Sequence, residues 1–222
     1  MNISVANSAR LLWAGLRALI VLTVLCGVLY PLAVTGVAQG VFPHRANGSR
    51  ITENGRVVGS ALIGQRYDLP PRNGQRTAAP DLRWFQPRPS DGLTTNTVNT
   101  QYRLLVSGAT NLAGDNRVLV DQVKAARAAV VEDNSVPGHP VRPADVPADA
   151  VTSSGSGLDP GISPAYARLQ VRRVAERNHL AVGQVERLVE RHTNGRILGF
   201  VGEPTVDVLQ LNIALRQLVN GR

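Results

Sequence analysis

Apolar and polar positions divide this chain into two unequal parts. Residues 18–43, ALIVLTVLCGVLYPLAVTGVAQGVFP, carry no formal charge, and their solid apolar part runs 21 residues from Ala18 to Ala38. At the α-helical rise this is about 31 Å, the thickness of a bilayer's hydrocarbon core. A soluble core helix would show a polar face, and this stretch shows none. The pattern predicts a short N-terminus over residues 1–10, a transmembrane helix over 11–38 and one domain over 39–222, of the α/β (mixed α+β) class. Within the span Thr23, Gly27 and Pro31 follow one another at intervals of four, giving a small-residue face suited to helix packing in lipid. Pro31 removes a backbone donor and frees the carbonyl of Gly27.

Beyond the span the periodicity is mixed. Gly48–Gln65 reads as a hairpin, because Asn54-Gly55 is a two-residue turn whose positions both tolerate positive φ. Residues 68–117 are rich in Pro, Gly, Asn and Thr without a sustained period; Trp84-Phe85 is their aromatic pair, expected to plug the core. A helix begins at Asp115 or Asn116 as N-cap, with Leu119, Val123, Ala126 and Val130 in one stripe, and ends before Asn134. Residues 134–150 carry Pro137, Pro140, Pro143 and Pro147 and read as an extended, non-helical connector. Val151-Thr152 reads as a strand-like entry into SSGSGLDP. Ser163-Pro164 opens a helix as N-cap and first helical residue, with Ala167, Val171 and Val174 buried. The next helix carries Val185, Leu188, Val189 and His192 on one face and stops at Asn194-Gly195. Ile197-Leu198-Gly199-Phe200-Val201 reads as a buried strand, and the last helix buries Val208, Leu211, Leu215 and Leu218.

Charge changes the picture little. The net charge is +8, of which Arg10 and Arg17 supply two, and Lys124 is the only lysine. The arginines are spread without basic clusters or interleaved aromatics, which argues against nucleic acid as a partner. Cys26 is the lone cysteine and lies inside the span, so neither a disulfide framework nor a thiol metal site is available. Gly36-Val37-Ala38 has the small residues of a signal-peptidase site, but the apolar run exceeds a signal h-region and continues up to that cut. Arg10 and Arg17 on one side nearly balance Arg45, Arg50 and Arg56 on the other. Long domains translocate largely regardless of charge, which favours the N-terminus inside and the domain outside.

The available chemistry is mostly defined by what is missing. A P-loop needs lysine after glycine, and Lys124 follows Val123. His44, His139, His179 and His192 share no metal-ligand spacing. The loop Ser153-Ser154-Gly155-Ser156-Gly157 resembles a nucleophile turn, yet Ser154 stands where a glycine is required, and no downstream Asp-then-His pair can be assigned to it with conviction. It reads better as a tight glycine loop with Asp159 capping amides ahead of the helix. An anchored envelope serine hydrolase using these serines and a plain anchored binding domain are the alternatives.

Taken in order, YPLAVTGVAQGVFP, ANGS, GSALIGQ, WFQPRPS, VTSSGSGLDPGISP and LGFVGEPTVDVLQLNIAL resemble the C subunit of the bacterial Kdp potassium-transporting ATPase over roughly residues 28–220. The resemblance implies a non-catalytic, single-span accessory subunit of the bacterial inner membrane, belonging to an ATP-driven, high-affinity potassium importer. Its partners would be a channel-like potassium-translocating subunit, a P-type ATPase subunit and a small single-span subunit. It would assemble the complex and act as a catalytic chaperone raising nucleotide affinity, while the complex handles ATP and potassium. Relatives carry a Ser-Gly-Gly-Ser-Asn segment likened to a nucleotide signature loop; here it is Ser107-Gly108-Ala109-Thr110-Asn111. Ala109 adds a Cβ where the backbone would need to approach closely, so Ser107, Gly108 and Asn111 are weak nucleotide candidates. A domain outside the membrane is also out of reach of cytoplasmic ATP.

Overall fold

A computed structural model describes residues 5–70, 78–90 and 107–221. The chain divides into two compact units, residues 1–49 and 50–222. In the first, helix α1 (Val5–Val24) continues through a π-helical stretch (Leu25–Leu29) into α2 (Tyr30–Val41), followed by the short α3 (Pro43–Ala46). Asn7–Val41, 35 residues, is long and apolar enough to cross a membrane and runs past both ends of the span expected from hydropathy. The π-helical stretch has an identifiable cause. Pro31 offers no amide, and the preceding Tyr30 amide donates to the Leu25 carbonyl, five residues back, instead of four.

The second unit opens with the expected hairpin, β1 (Arg50–Glu53) and β2 (Arg56–Ser60), paired antiparallel with a register shift between Ile51 and Thr52. Its turn residues Asn54 and Gly55 have φ of 50° and 74°, the positive values a two-residue hairpin turn requires. Helix α4 (Arg117–Asn134) starts at Asn116, whose side chain accepts from the Val118 amide at 2.9 Å. It runs through Asn134, one residue past its expected end, because Asn134 is buried and bonded.

After α4 the connector contains two single turns of 3₁₀ helix, Pro143–Asp145 and Ala148–Ala150, where a wholly extended segment was expected. Proline suits the first turn of a helix, where its missing amide costs nothing. The 3₁₀ turn carries the chain into Val151, so Val151-Thr152 forms no strand. A two-residue strand β3 (Gly161–Ile162) precedes α5 (Pro164–Arg177), whose N-cap Ser163 accepts from the Tyr166 amide at 3.0 Å. Helix α6 (Val182–Arg191) gives way to β4 (Thr193–Asn194), so Asn194 is a strand residue and not the helix stop. Strand β5 (Thr205–Asp207) leads directly into α7 (Val208–Asn220). The small sheet is antiparallel in the order β3-β5-β4. Ile197–Val201, expected as a buried strand, is instead an exposed turn between β4 and β5. Ten residues, 195–204, join these two sheet neighbours, and Leu198 and Gly199 take positive φ to reverse the chain.

The core forms where α5 packs on α4 and α6, and where α7 packs on α6 and β5. Ala167, Val171 and Val174 of α5, Val185, Leu188 and Val189 of α6, and Val208, Leu211 and Leu215 of α7 are buried as their spacing predicts. Phe85 is fully buried among them, and Trp84 packs at its edge, tilted 38° on Tyr67 with ring centroids 5.9 Å apart. The segment carrying these aromatics lies in no helix or sheet, so its backbone needs other partners. Asn212 of α7 supplies both for Phe85, accepting its amide and donating to its carbonyl at 2.9 Å each. Gln170 of α5 does the same for Gln86, at 2.7 and 3.1 Å. Buried Arg173 donates to the carbonyls of Leu82 and Trp84, to Gln170 and, from Nε, to Asn134 at 2.9 Å. Burial lowers its pKa to about 10, so the guanidinium remains charged and holds two helices and a loop together.

Candidate functional site

The loops singled out in the sequence meet. Ser153–Asp159 lies between the second 3₁₀ turn and β3, and its conformation comes from its own hydroxyls. Ser156 Oγ accepts from the Leu158 amide at 3.1 Å, and Asp159 Oδ1 accepts from the Gly161 amide at 2.9 Å. These short side-chain bonds are turn-forming contacts, and Gly157 at φ 67° supplies the left-handed residue between them. The Gly64 amide donates to the Leu158 carbonyl at 2.8 Å, tying this loop to the segment after the hairpin.

Against this loop lies Ser107–Asn111. The Gly108 amide donates to the Ser156 carbonyl at 2.9 Å, and Ser107 Oγ donates to the same oxygen at 3.0 Å. Ser90 donates to the Gly157 carbonyl, and a Cβ on Gly157 would sit 3.0 Å from the Gly108 carbonyl. Close approach thus requires glycine at 157. Asn111 takes φ 51°, which asparagine tolerates better than most residues.

Arg88 fastens the other side. Its NH1 lies 3.1 Å from Asp159 Oδ2, and its guanidinium reaches the carbonyls of Thr152 and Ser153, each at 3.4 Å. Sequence reasoning placed Arg88 and Ser90 only as followers of the aromatic pair. Their polar character beside two prolines was the available signal, but their targets are more than 60 residues away.

Between these loops and α4 lies a cavity of about 310 Å³. Ser90, Thr110, Gln122, Thr152 and Ser153 give it polar walls, and Leu119, Val123 and Ala126 of α4 form an apolar floor. None of the described residues lining it is charged. A triphosphate is usually held by free loop amides, a helix N-terminus or a cation. Here the Gly108 amide is already committed to Ser156, and Arg88 is committed to Asp159. The arrangement is a clasp between two loops and has no phosphate cradle among its described residues.

It is not set up as a serine nucleophile either. Ser154 Oγ and Ser156 Oγ face each other at 3.3 Å, and among the described residues neither is hydrogen-bonded to a histidine. His192, half-buried at the end of α6, bonds instead to the Leu188 carbonyl at 2.8 Å through Nδ1. The described residues contain no group of three or more His, Cys, Asp or Glu able to hold a metal ion.

The residues Thr23, Gly27 and Pro31, expected to form a packing face, flank and enter the π-helical stretch. Gly27 falls within it, and a Cβ there would meet only Thr23 Cγ2, at 3.9 Å, so space remains on that face. Pro31 begins the α-helical turn that follows.

Residues 12–217 match the family described as KdpC: K+-transporting ATPase, c chain. A Potassium-transporting ATPase KdpC subunit of Streptomyces avermitilis is 68% identical over 219 residues, covering 99% of each chain. That of Streptomyces coelicolor is 65% identical, over 99% of this chain and 97% of the relative. The subunit of the same name from Mycobacterium tuberculosis is 43% identical, over 94% of this chain and 99% of the relative.

Proposed function

The chain belongs to the KdpC family of K+-transporting ATPase c chains, and from that premise we propose that it is the non-catalytic accessory subunit of an ATP-driven potassium uptake complex. The match over residues 12–217, spanning both the membrane-length helix and the domain, carries this reading. The helix anchors the chain in the bacterial inner membrane with its N-terminus inside and the domain outside. Its Thr23, Gly27 and Pro31 face packs against the channel-like subunit, because space left by small residues is what helix association in lipid uses. The P-type ATPase subunit and a small single-span subunit complete the complex, which handles ATP and potassium. The chain assembles these partners and covers the outer mouth of the potassium pathway.

Any rise in the ATP affinity of the ATPase subunit is then an indirect, chaperone-like effect. The loop at Ser107, Gly108 and Asn111 supports that restriction, since its glycine amide is spent on Ser156. The test is co-purification of the complex with a chain lacking residues 1–38. The truncated domain is expected to separate from the membrane complex and to leave potassium-limited growth unsupported. If it stayed bound and restored full transport, the helix would not be the assembly element and the proposal would fall.

A further inference from the structure

The turn between β4 and β5 presents an apolar tip to solvent: Ile197, Leu198 and Phe200 are 70%, 81% and 75% exposed. It is a built structure. Ile197 and Val201 exchange two backbone hydrogen bonds of 2.9 Å, the Phe200 amide donates to the Ile197 carbonyl, and the Gly199 amide donates to that of Arg196. At its base Arg196 pairs with Glu203 at 3.0 Å, forming a polar collar. The two central residues, Leu198 and Gly199, have φ of 55° and 82°. The first hairpin of the same domain turns at similar positive φ through Asn54 and Gly55, the residues such geometry favours. Leucine is disfavoured at positive φ. Its presence at 198 is therefore explained by what its side chain meets, not by the turn.

We infer that this tip inserts into the interfacial region of an anionic bilayer. The tip offers apolar surface with its amides at 197, 199, 200 and 201 already donated, which is what a lipid environment demands of any backbone. A protein pocket would ordinarily add directional polar contacts, and the tip has no polar side chain between Arg196 and Glu203. Charge points the same way. Arg10, Arg17 and Arg45 are the only charged residues before Arg50, so residues 50–222 carry five of the net eight positive charges and are drawn to anionic headgroups. Only eight residues join the end of the membrane-length helix at Val41 to Arg50, so a bilayer surface is within reach of this domain. The inference stands apart from the reading for potassium uptake, which neither requires nor predicts it.

The test uses the full chain, assembled in its complex and placed in lipid discs. Cys26 is replaced by serine, and Leu198→Cys is labelled with a small polarity-sensitive fluorophore. Lipids spin-labelled near the headgroup are expected to cut its emission at least twofold, while a probe at exposed Glu132→Cys is unaffected. Quenching should be stronger in discs containing anionic lipid; equal quenching in purely zwitterionic discs would overturn the electrostatic part. A variant Leu198→Asn, which suits the turn and so preserves folding, should reduce quenching of a probe at Phe200→Cys. No lipid quenching at 198, or photocrosslinking of a benzoyl-phenylalanine at 198 to another subunit in its place, would overturn the inference.

Discussion

Replacing Asn212 by leucine tests whether side-chain amides hold the Trp84-Phe85 segment in place of a strand ladder. The two side chains are nearly equal in size, so little packing is lost at this fully buried position. What is lost is both partners of the Phe85 backbone, its amide and its carbonyl, each bonded at 2.9 Å. A buried polar group left without a partner costs roughly 1–3 kcal/mol, so two cost roughly 2–6. Burying leucine returns at most about 2 kcal/mol. Set against each other, these leave a net loss centred on about 2 kcal/mol and reaching about 4, or roughly 4–8 °C in melting temperature at the centre for a domain of this size. Trp84 reports the transition once Trp13, the other tryptophan, is replaced by phenylalanine. Asn212→Asp, which keeps the acceptor for the amide but sets a carboxylate against the carbonyl, should fall at least as far. A melting temperature for Asn212→Leu within a degree of the parent would refute the reasoning, since the segment would then be held by packing alone.

The other perturbations act at separate places. Gly157→Ala puts a Cβ 3.0 Å from the Gly108 carbonyl at φ 67°, and should cost about 1–2 kcal/mol by denaturant titration. Arg216→Met removes the 2.8 Å ion pair to Glu53 and the cation seated 5.6 Å over the Trp84 ring. It should cost about 1–3 kcal/mol and shift Trp84 emission, because it frees the hairpin from α7. Asp207 caps α7 through the Gln210 amide at 2.8 Å, and burial raises its pKa against the pull of that hydrogen bond. A carboxyl with a raised folded pKa contributes stability fully present below the unfolded value of 3.8 and lost as pH rises through the folded value. Asp207→Asn, which caps without charge, should therefore match or exceed the parent in melting temperature at pH 7 and flatten the acid side of the profile; Asp207→Ala should lose about 1 kcal/mol of capping at pH 7 and more below the unfolded value of 3.8.

Local rules reached much of this fold. The Asn54-Gly55 turn, the Asn116 and Ser163 caps and the stripes of α4 to α7 are each set within a few residues of sequence, and each lies where its local chemistry puts it. The failures share a different cause. Ile197–Val201 has the composition of a buried strand, and nothing local says that its neighbours β4 and β5 leave it outside the sheet. Asn134, Gln170, Arg173 and Asn212 read as ordinary polar helix positions. Their buried role depends on one another, as for Arg173 with Asn134, and on a loop 84 to 127 residues away in the chain, for Gln170 with Gln86 and Asn212 with Phe85 respectively. At the candidate site, the two loops were legible as unusual because of their glycines and serines. That they clasp each other was not, since it rests on contacts such as Ser107 to Ser156, 49 residues apart.

That clasp changes how its glycines should be understood. A glycine-serine loop invites two functional readings, a phosphate cradle through free amides or a strained serine nucleophile. Both require groups left unspent: amides aimed outward in the first case, a hydroxyl beside a base in the second. Here Gly157 is used for backbone approach to the Gly108 carbonyl, the Gly108 amide is spent on Ser156, and the hydroxyls of Ser90, Ser107 and Ser156 are spent on carbonyls or amides of the loops themselves. Arg88, which reaches the carbonyls of Thr152 and Ser153, is paired with Asp159. The result is a polar but uncharged cavity over an apolar floor of α4, held open by its own hydrogen bonds. Among its described lining residues none is charged, so none of them offsets the desolvation of an anion such as a nucleotide phosphate. Glycine at 157 and serine at 90, 107 and 156 are accounted for by the geometry of the clasp.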